Sequence, residues 1–384
     1  MAMTTVDTNN KLVKYTRQIN REVIRENMFS PYMGTSLNSI IRIRQELKSG
    51  GEQMNIPLVT KLLGRGRGAG ALVGNEEKID NFGMRAWIDW KRHAVSANKA
   101  EQHKDSADIF GVRKDLLSDW MREQQRDETV EAFLALPSES APVNLGSDEG
   151  DTVNGIRYEL ASAAQRNTWN AANSDRVLYG ASTANYNATH ATALGGITAA
   201  DDKMTAAVGS LAKRIAKQAK PGIHPFKIRN GYEYYVAFLG SYAFRDLKAD
   251  PVITQANREA RAREGSGMDK NPIFQDGDLI YDGVIYREVP QISAFVDDVW
   301  TTLLTAGDSS SRVEPWFLCG QQAMVYAWGQ MARPTFRKED DYGFITGAGI
   351  EAAYGIAKVF KKHGPAGDLK QWGVVTGFVS AATD

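Results

Sequence analysis

The chain has 384 residues, enough for two or three modules or for one domain with large excursions. Apolar residues at 42% and charged residues at 24% exclude a disordered chain. Forty-six basic side chains balance 46 acidic ones, which excludes the basic excess of a dedicated nucleic-acid binder and leaves little charge repulsion between copies. One cysteine, Cys319, excludes an intramolecular disulfide and a cysteine-based zinc site. It follows Trp316-Phe317-Leu318 and reads as a small buried side chain. The polar start (Thr4 to Lys11) lacks the apolar core of a signal peptide, and no window approaches a membrane span, so a soluble product of the cytoplasm is expected.

From Lys11 to Lys48 eight basic residues face three acidic ones, and the apolar positions are too sparse for a core. Short helices are expected over Thr16–Phe29 and Leu37–Leu47, with Ser30-Pro31 as the break between them. A solvated terminus and an arm laid along a neighbouring copy, with Arg17, Arg21 and Arg25 as its contacts, both fit this composition. Next, Met54 to Leu63 reads as a strand, followed by the run Gly64-Arg65-Gly66-Arg67-Gly68-Ala69-Gly70 and then Leu72 to Glu77. No Lys-Ser/Thr follows these glycines, so the phosphate-loop mechanism fails. A hairpin tip is the better reading, with glycines for the turn and Arg65, Arg67, Asn75, Glu76 and Glu77 for contact chemistry. The alternating Met84–Trp90 is the returning strand, and Arg92 follows it. So long a ribbon needs a partner surface.

A helix is predicted from Asp105 to about Leu136, on the spacing of Ile109, Val112, Leu116 and Trp120 and its continuation through Val130, Phe133 and Leu134, with Pro137 as the stop. It would be a rod of roughly 45 Å. Residues 137 to 163 read as loop, with a short hairpin at Asn154-Gly155. Thr198 and Asp201 then suggest a capping box for a helix carrying Met204, Val208, Leu211 and Ile215. Tyr232–Leu239 and Val313–Cys319 read as strands that turn at Gly240 and Gly320 into helices, the second over Gln321 to about Met331. Ala353–Phe360 and Trp372–Val379 read as extended segments. The alternation predicts an α+β fold with a mixed sheet.

Between the two strand–helix pairs lies Asn271 to Ile292. Pro272 bars a helix, Gln275 to Asp278 forms an exposed tip, and Val284 to Val289 is a strand that Pro290 closes. Asn271, Phe274 and Asp276 are its contact candidates. Asp276, Asp278 and Asp282 miss the calcium-loop spacing. The five histidines (His93, His103, His190, His224, His363) form no metal pair at helical spacing and accompany no nucleophile elbow. No catalytic residue, cofactor or metal is expected.

Gly74-Asn75-Glu76-Glu77, Arg92-His93-Ala94-Val95, Asn271-Pro272-Ile273-Phe274, Gly283-Val284-Ile285, Leu318-Cys319-Gly320-Gln321-Gln322-Ala323, and Tyr342-Gly343 with Gly347 follow one another along the chain. In that order they resemble the major capsid proteins of tailed bacteriophages with the HK97-like fold, in particular the group related to the N4 major capsid protein. The resemblance runs through nearly the whole chain and departs from the pattern in the acidic tip Phe274-Gln275-Asp276-Gly277-Asp278-Leu279. It implies an N-terminal arm over 1–50, an extended E-loop hairpin over 51–98, a peripheral domain with a long spine helix over 99–200, a mainly axial mixed-sheet domain over 201–335, and return segments over 336–384. It also implies self-assembly into hexamers and pentamers of an icosahedral head in the virion, assembled in the host cytoplasm around double-stranded DNA held without sequence specificity. Scaffold, portal and decoration proteins would be further partners. A portal or adaptor ring, and an enzyme with a dispersed site, are the competing readings.

Overall fold

A computed structural model describes residues 28–62, 64–104, 112–227, 231–256, 274–275, 278–337, 344–363 and 367–381. Two compact units emerge among them: a smaller one from Lys91–Gln125 and Met331–Ala352, and a larger one from Met28–Trp90, Arg126–Gln330 and Ala353–Asp384.

The larger unit is built on a mixed eight-stranded sheet. Its order is Phe274–Gln275, Asp278–Tyr281, Val284–Glu288, Glu233–Leu239, Val313–Cys319, Val374–Ser380 and Val177–Tyr179, with Phe226–Lys227 added beside Glu233–Leu239. Val284–Glu288 runs parallel to Glu233–Leu239, whereas Val313–Cys319 is antiparallel to both of its neighbours. Every residue of Val313–Cys319 and of Val374–Ser380 is buried. A strand covered on both faces needs a continuous apolar run, which is what Trp316-Phe317-Leu318-Cys319 supplies. On one face Trp316 and Leu318 pack with Val208, Ala212 and Ala216 of the helix Ala206–Gln218 and with Phe244 and Leu247 of the helix Ser241–Ala249. Helix and sheet approach so closely that a Cβ on Gly209 would sit 1.8 Å from the Tyr286 hydroxyl.

The other face takes the end of the long helix Arg113–Leu134. Phe133 lies 5.2 Å from Phe317, 5.5 Å from Phe238 and 5.5 Å from Phe29, ring centre to ring centre. Residues 128–134 are all buried, so the helix loses its amphipathic pattern there. Its polar members find partners instead. The Tyr354 hydroxyl bonds Glu128 at 2.5 Å, and Arg157 reaches Glu131 at 3.4 Å and Asp151 at 3.1 Å. Burial, with Glu159, Glu128 and Asp151 adding their charge against the opposing pull of Arg157, raises the Glu131 carboxyl to about 7.

A second sheet takes the order Met33–Gly34, Ile41–Arg44, Met324–Arg337, Ile345–Lys358 and Asp89–Asn98, with Val153–Asn154 beside Ile345–Lys358. In the larger unit Ile41–Arg44 runs parallel to Met324–Ala327, and Val153–Asn154 runs parallel to Ile356–Ala357. Residues 91–98, 331–337 and 345–352 are the sheet's share of the smaller unit, where the Trp120 ring of the long helix lies tilted against His93 at 4.6 Å and Lys114 sits 4.9 Å over Phe336.

Several expectations change here. Residues 324–331 belong to a strand rather than a helix: Gln322 turns the chain at φ 53°, and Met324, Val325, Tyr326 and Ala327 then pair with Ile41–Arg44. The same pairing replaces the helix expected over 37–47, where Ile41 and Ile43 alternate with arginines. Pro290 opens the helix Pro290–Asp298 instead of closing a strand, because the first helical position has no N–H to lose. The cap at Thr198 and Asp201 does not form. Thr205 caps Ala206–Gln218, while Asp202 accepts from the Thr198 N–H at 2.8 Å and from the Ala181 N–H at 2.8 Å. Asn154-Gly155 makes no hairpin of its own. Asn154 uses its side-chain amide to bond both the N–H and the carbonyl of Trp87 (2.8 and 2.9 Å), and a Cβ on Gly155 (φ 108°) would meet the Leu136 carbonyl at 2.5 Å. The long helix is described over 22 residues, about 33 Å, and residues 105–111 lie outside the described residues. Its buried stripe runs through Leu117 and Met121, whereas Leu116 is exposed. The predicted helix Thr16–Phe29 falls almost wholly outside them too.

Two expected outcomes follow. Phe238→Ala removes the ring shared by Phe29, Tyr32 and Phe133 and should cost about 3–5 kcal/mol in denaturant unfolding of the unassembled subunit. A carboxyl raised from 4.5 to about 7 makes the folded state hold the extra proton, so its cost grows as pH climbs through that window. Glu131→Gln should therefore gain stability over wild type between pH 5 and pH 8, read as a widening gap in melting temperature.

Candidate assembly interface

The strands Gln53–Val59 and Asn81–Trp87 pair antiparallel in full register, from Gln53 opposite Trp87 to Val59 opposite Asn81. Gln53–Val59 alternates strictly, with Met54, Ile56 and Leu58 buried and the rest exposed. The buried side belongs to a small core with Leu47, Met84, Val325, Val359 and Phe360, against which Phe82 also packs. A hairpin with one such face is held at its base.

The connection between these strands projects beyond that core. Among its described residues, 61–80 are all exposed, Leu72 at 64% and Val73 at 86%. It holds its shape through local hydrogen bonds. The Gly64 N–H donates to Glu77 at 2.8 Å, the Gly74 N–H to Glu76 at 2.8 Å, and the Asn75 N–H to the Leu72 carbonyl at 2.9 Å. The Arg67 guanidinium donates to the Asn75 side-chain oxygen. Gly66 (φ 73°) and Gly74 (φ 80°) take the left-handed backbone that the two turns require. At the neck, Asp80 pairs with the Lys361 ammonium and accepts from the Thr60 hydroxyl at 3.3 Å. The hydrogen bond from Lys361 holds the Asp80 carboxyl below its usual range.

In the smaller unit Arg92, 73% exposed, lies 4.0 Å from Glu351, which Arg333 contacts at 2.6 Å. Deep in the larger unit a polar cluster forms around His190. The Tyr179 hydroxyl donates to the Asn170 side-chain oxygen at 2.9 Å and so accepts from the His190 Nδ1–H at 2.7 Å. His190 Nε2 then accepts from the Tyr158 hydroxyl at 2.9 Å. Burial, and then the charge of Arg166, push this imidazole down to about 4. A neutral histidine with both nitrogens bonded is a packing element. Among the described residues no group of three His, Cys, Asp or Glu side chains is placed to hold a metal ion, and no helix is long and apolar enough to cross a membrane.

Residues 3–382 match the family model described as phage capsid protein. The chain belongs to that family. Over the full length of both chains it is 35% identical to the capsid protein of cyanophage Pam1, with a TM-score of 0.86. The capsids of Ralstonia phage GP4 (17% identity, TM-score 0.68, 100% of this chain and 99% of that one) and of Helicobacter pylori bacteriophage KHP30 (14%, 0.65, 99% of each) share the fold. These structures have the HK97-like fold, and so does this chain. No curated protein matches it at a significant level. It is a major capsid subunit, and copies of it build the homo-oligomeric shell of the virion.

The structure brings five of the predicted contact residues into one element: Arg65, Arg67, Asn75, Glu76 and Glu77 all lie on the exposed 61–80 loop of this capsid subunit. Arg92 sits on the separate strand Asp89–Asn98. Phe274 starts a short strand paired with Asp278–Tyr281. Arg17, Arg21, Arg25, Asn271 and Asp276 lie outside the described residues. Sequence reasoning passed over Leu72 and Val73, although an apolar pair inside a glycine-rich polar run is itself a contact signal. It also missed the Asp80–Lys361 neck, because partners 281 positions apart leave no local pattern.

Asp80→Ala leaves the Lys361 ammonium, 3% exposed, without its carboxylate. Cleavage of the loop by trypsin at Lys61, Arg65 or Arg67 should then speed up by about tenfold over wild type in limited proteolysis of the unassembled subunit.

Proposed function

We propose that the 61–80 loop is the extended E-loop of this capsid subunit and reaches over a neighbouring copy, with Arg65, Arg67, Asn75, Glu76 and Glu77 as its polar contacts and Leu72 and Val73 as its apolar ones. The observation that carries this reading is the contrast along one hairpin. Its base is locked into a core, whereas its tip exposes two large apolar side chains. Exposed apolar groups on a fixed projection gain free energy when a partner covers them. The opposed charges at the tip fix orientation more than strength.

On the same reading, Arg92 and the arm residues Arg17, Arg21 and Arg25 lie against other copies, and Asn271, Phe274 and Asp276 contribute contacts near a capsomer centre. Residues 1–50 act as the arm, 99–200 as the peripheral domain and 201–335 mainly as the axial domain. Copies form hexamers and pentamers that close an icosahedral head around double-stranded DNA, held at the inner surface by charge alone. Assembly takes place in the host cytoplasm, with scaffold, portal and decoration proteins as further partners. The role is structural and not catalytic. The narrower N4-related grouping has its support in the motif order of the sequence.

Deletion of residues 66–74, joined by a short glycine linker, tests the central element. The expected result in electron microscopy of the expressed protein is folded subunits or isolated capsomers without closed shells. Truncation of residues 1–45 should lower shell yield in the same assay. Normal shells from the loop deletion would overturn the reading.

A further inference from the structure

Lys358, at the end of the strand Ile345–Lys358, is 3% exposed, and its ammonium nitrogen has no hydrogen-bond acceptor among the described residues. It lies 6.0 Å from the ring centre of Trp169, on the helix Ala163–Ala172. The titratable group that acts on it from the strand Val313–Cys319 is Cys319, a buried thiol that burial keeps protonated and neutral. On its own strand Tyr354 is occupied by Glu128, and beyond the Trp169 ring stands His190, edge-on at 5.7 Å and neutral. Among the described residues no carboxylate pairs with Lys358.

An ammonium buried without an acceptor is strongly disfavoured. Burial accordingly lowers this amine from 10.5 to about 7. Trp169 is 4% exposed, and its indole N–H has no hydrogen-bond partner among the described residues to fix the ring. The same ring lines a groove of about 350 Å³, together with Leu136, Ile156, Ala164, Thr168 and Leu369. Room for the ring to move therefore lies beside a group that changes charge.

We propose that Lys358 and Trp169 form a proton-operated gate on this groove: when Lys358 gains its proton, the Trp169 ring swings into the groove and lets the ammonium reach water. At alkaline pH the amine is uncharged and the gate is shut. Acidification opens it and loosens the contact between the helix Ala163–Ala172 and the end of the strand. Because both partners sit within the larger unit, the device works in a single subunit and is repeated in every copy of the shell.

Assembled full-length particles test this through tryptophan fluorescence between pH 8.5 and 5.5, a range in which His190 stays neutral. Wild type should show a transition centred near pH 7. Trp169→Phe should abolish it, and so should Lys358→Met, which keeps an unbranched side chain, one atom shorter, without the charge. Glu131→Gln should leave it in place. The unfolding equilibrium gives a second readout. Between pH 7 and 10.5 the unfolded chain holds the lysine proton and the folded chain does not, so wild type should gain stability with rising pH, by up to tenfold in the equilibrium constant per pH unit. Lys358→Met and Lys358→Leu should lack that rise, and should exceed wild type most at the lower end of the window. A flat wild-type fluorescence profile, a transition that survives Lys358→Met, or one that vanishes with Glu131→Gln would each overturn the gate.

Discussion

The larger unit depends on the burial of one helix end against one sheet. Phe133 delivers the last turns of Arg113–Leu134 into the rings of Phe29, Phe238 and Phe317. Once those turns are inside, every polar group on them needs a partner at once. Tyr354 bonds Glu128, and Arg157 spans Glu131 and Asp151. These partners come from a late strand and from the loop after the helix, so the aromatic contact organises distant parts of the chain. The raised carboxyl of Glu131 is the residue of this arrangement that satisfaction does not fully cover.

The segments legible in sequence were those whose environment is uniform along the element. Val313–Cys319 is buried at every position, and an apolar run states that plainly. Gln53–Val59 has one wet and one dry face, which alternation states as plainly. The errors fell where a distant partner decides the local conformation. Residues 324–327 carry side chains that fit either a helix or a strand, and Ile41–Arg44 tips the balance by offering backbone partners 283 positions away. Asn154 is similar: its amide stands in for a strand toward Trp87, 67 positions earlier. On the helix face, Leu116 and Leu117 are adjacent in sequence, yet only Leu117 is buried, and nothing in the local spacing separates them. At the candidate interface the glycines and charges marked the loop correctly, whereas the neck at Asp80 and Lys361 was invisible.

The hairpin shows how one element can be finished and unfinished at the same time. Its base buries Met54, Ile56 and Leu58, so the direction in which it leaves the core is set within the subunit. Its tip holds internal hydrogen bonds but no core, so the apolar area at Leu72 and Val73 stays in water in the isolated chain. Fixing the direction in advance lowers the ordering cost of any later contact. The glycines at 66 and 74 set the turns without fixing the residues between them, which leaves small adjustments open.

Shell proteins must bind copies weakly enough for misplaced subunits to leave, yet hold firmly once the shell closes. A contact of two apolar side chains and a few exposed charges is weak by itself, since surface ion pairs contribute about 0–1 kcal/mol each. Closure changes the arithmetic, because a subunit held by several neighbours must break all of its contacts together to escape. A chain with zero net charge suits that regime, since it adds no long-range repulsion as copies accumulate. Greater affinity at any single contact would work against it by trapping errors. On these grounds, the short and mostly polar tip at 61–80 suits the contact proposed for it better than a large apolar interface would.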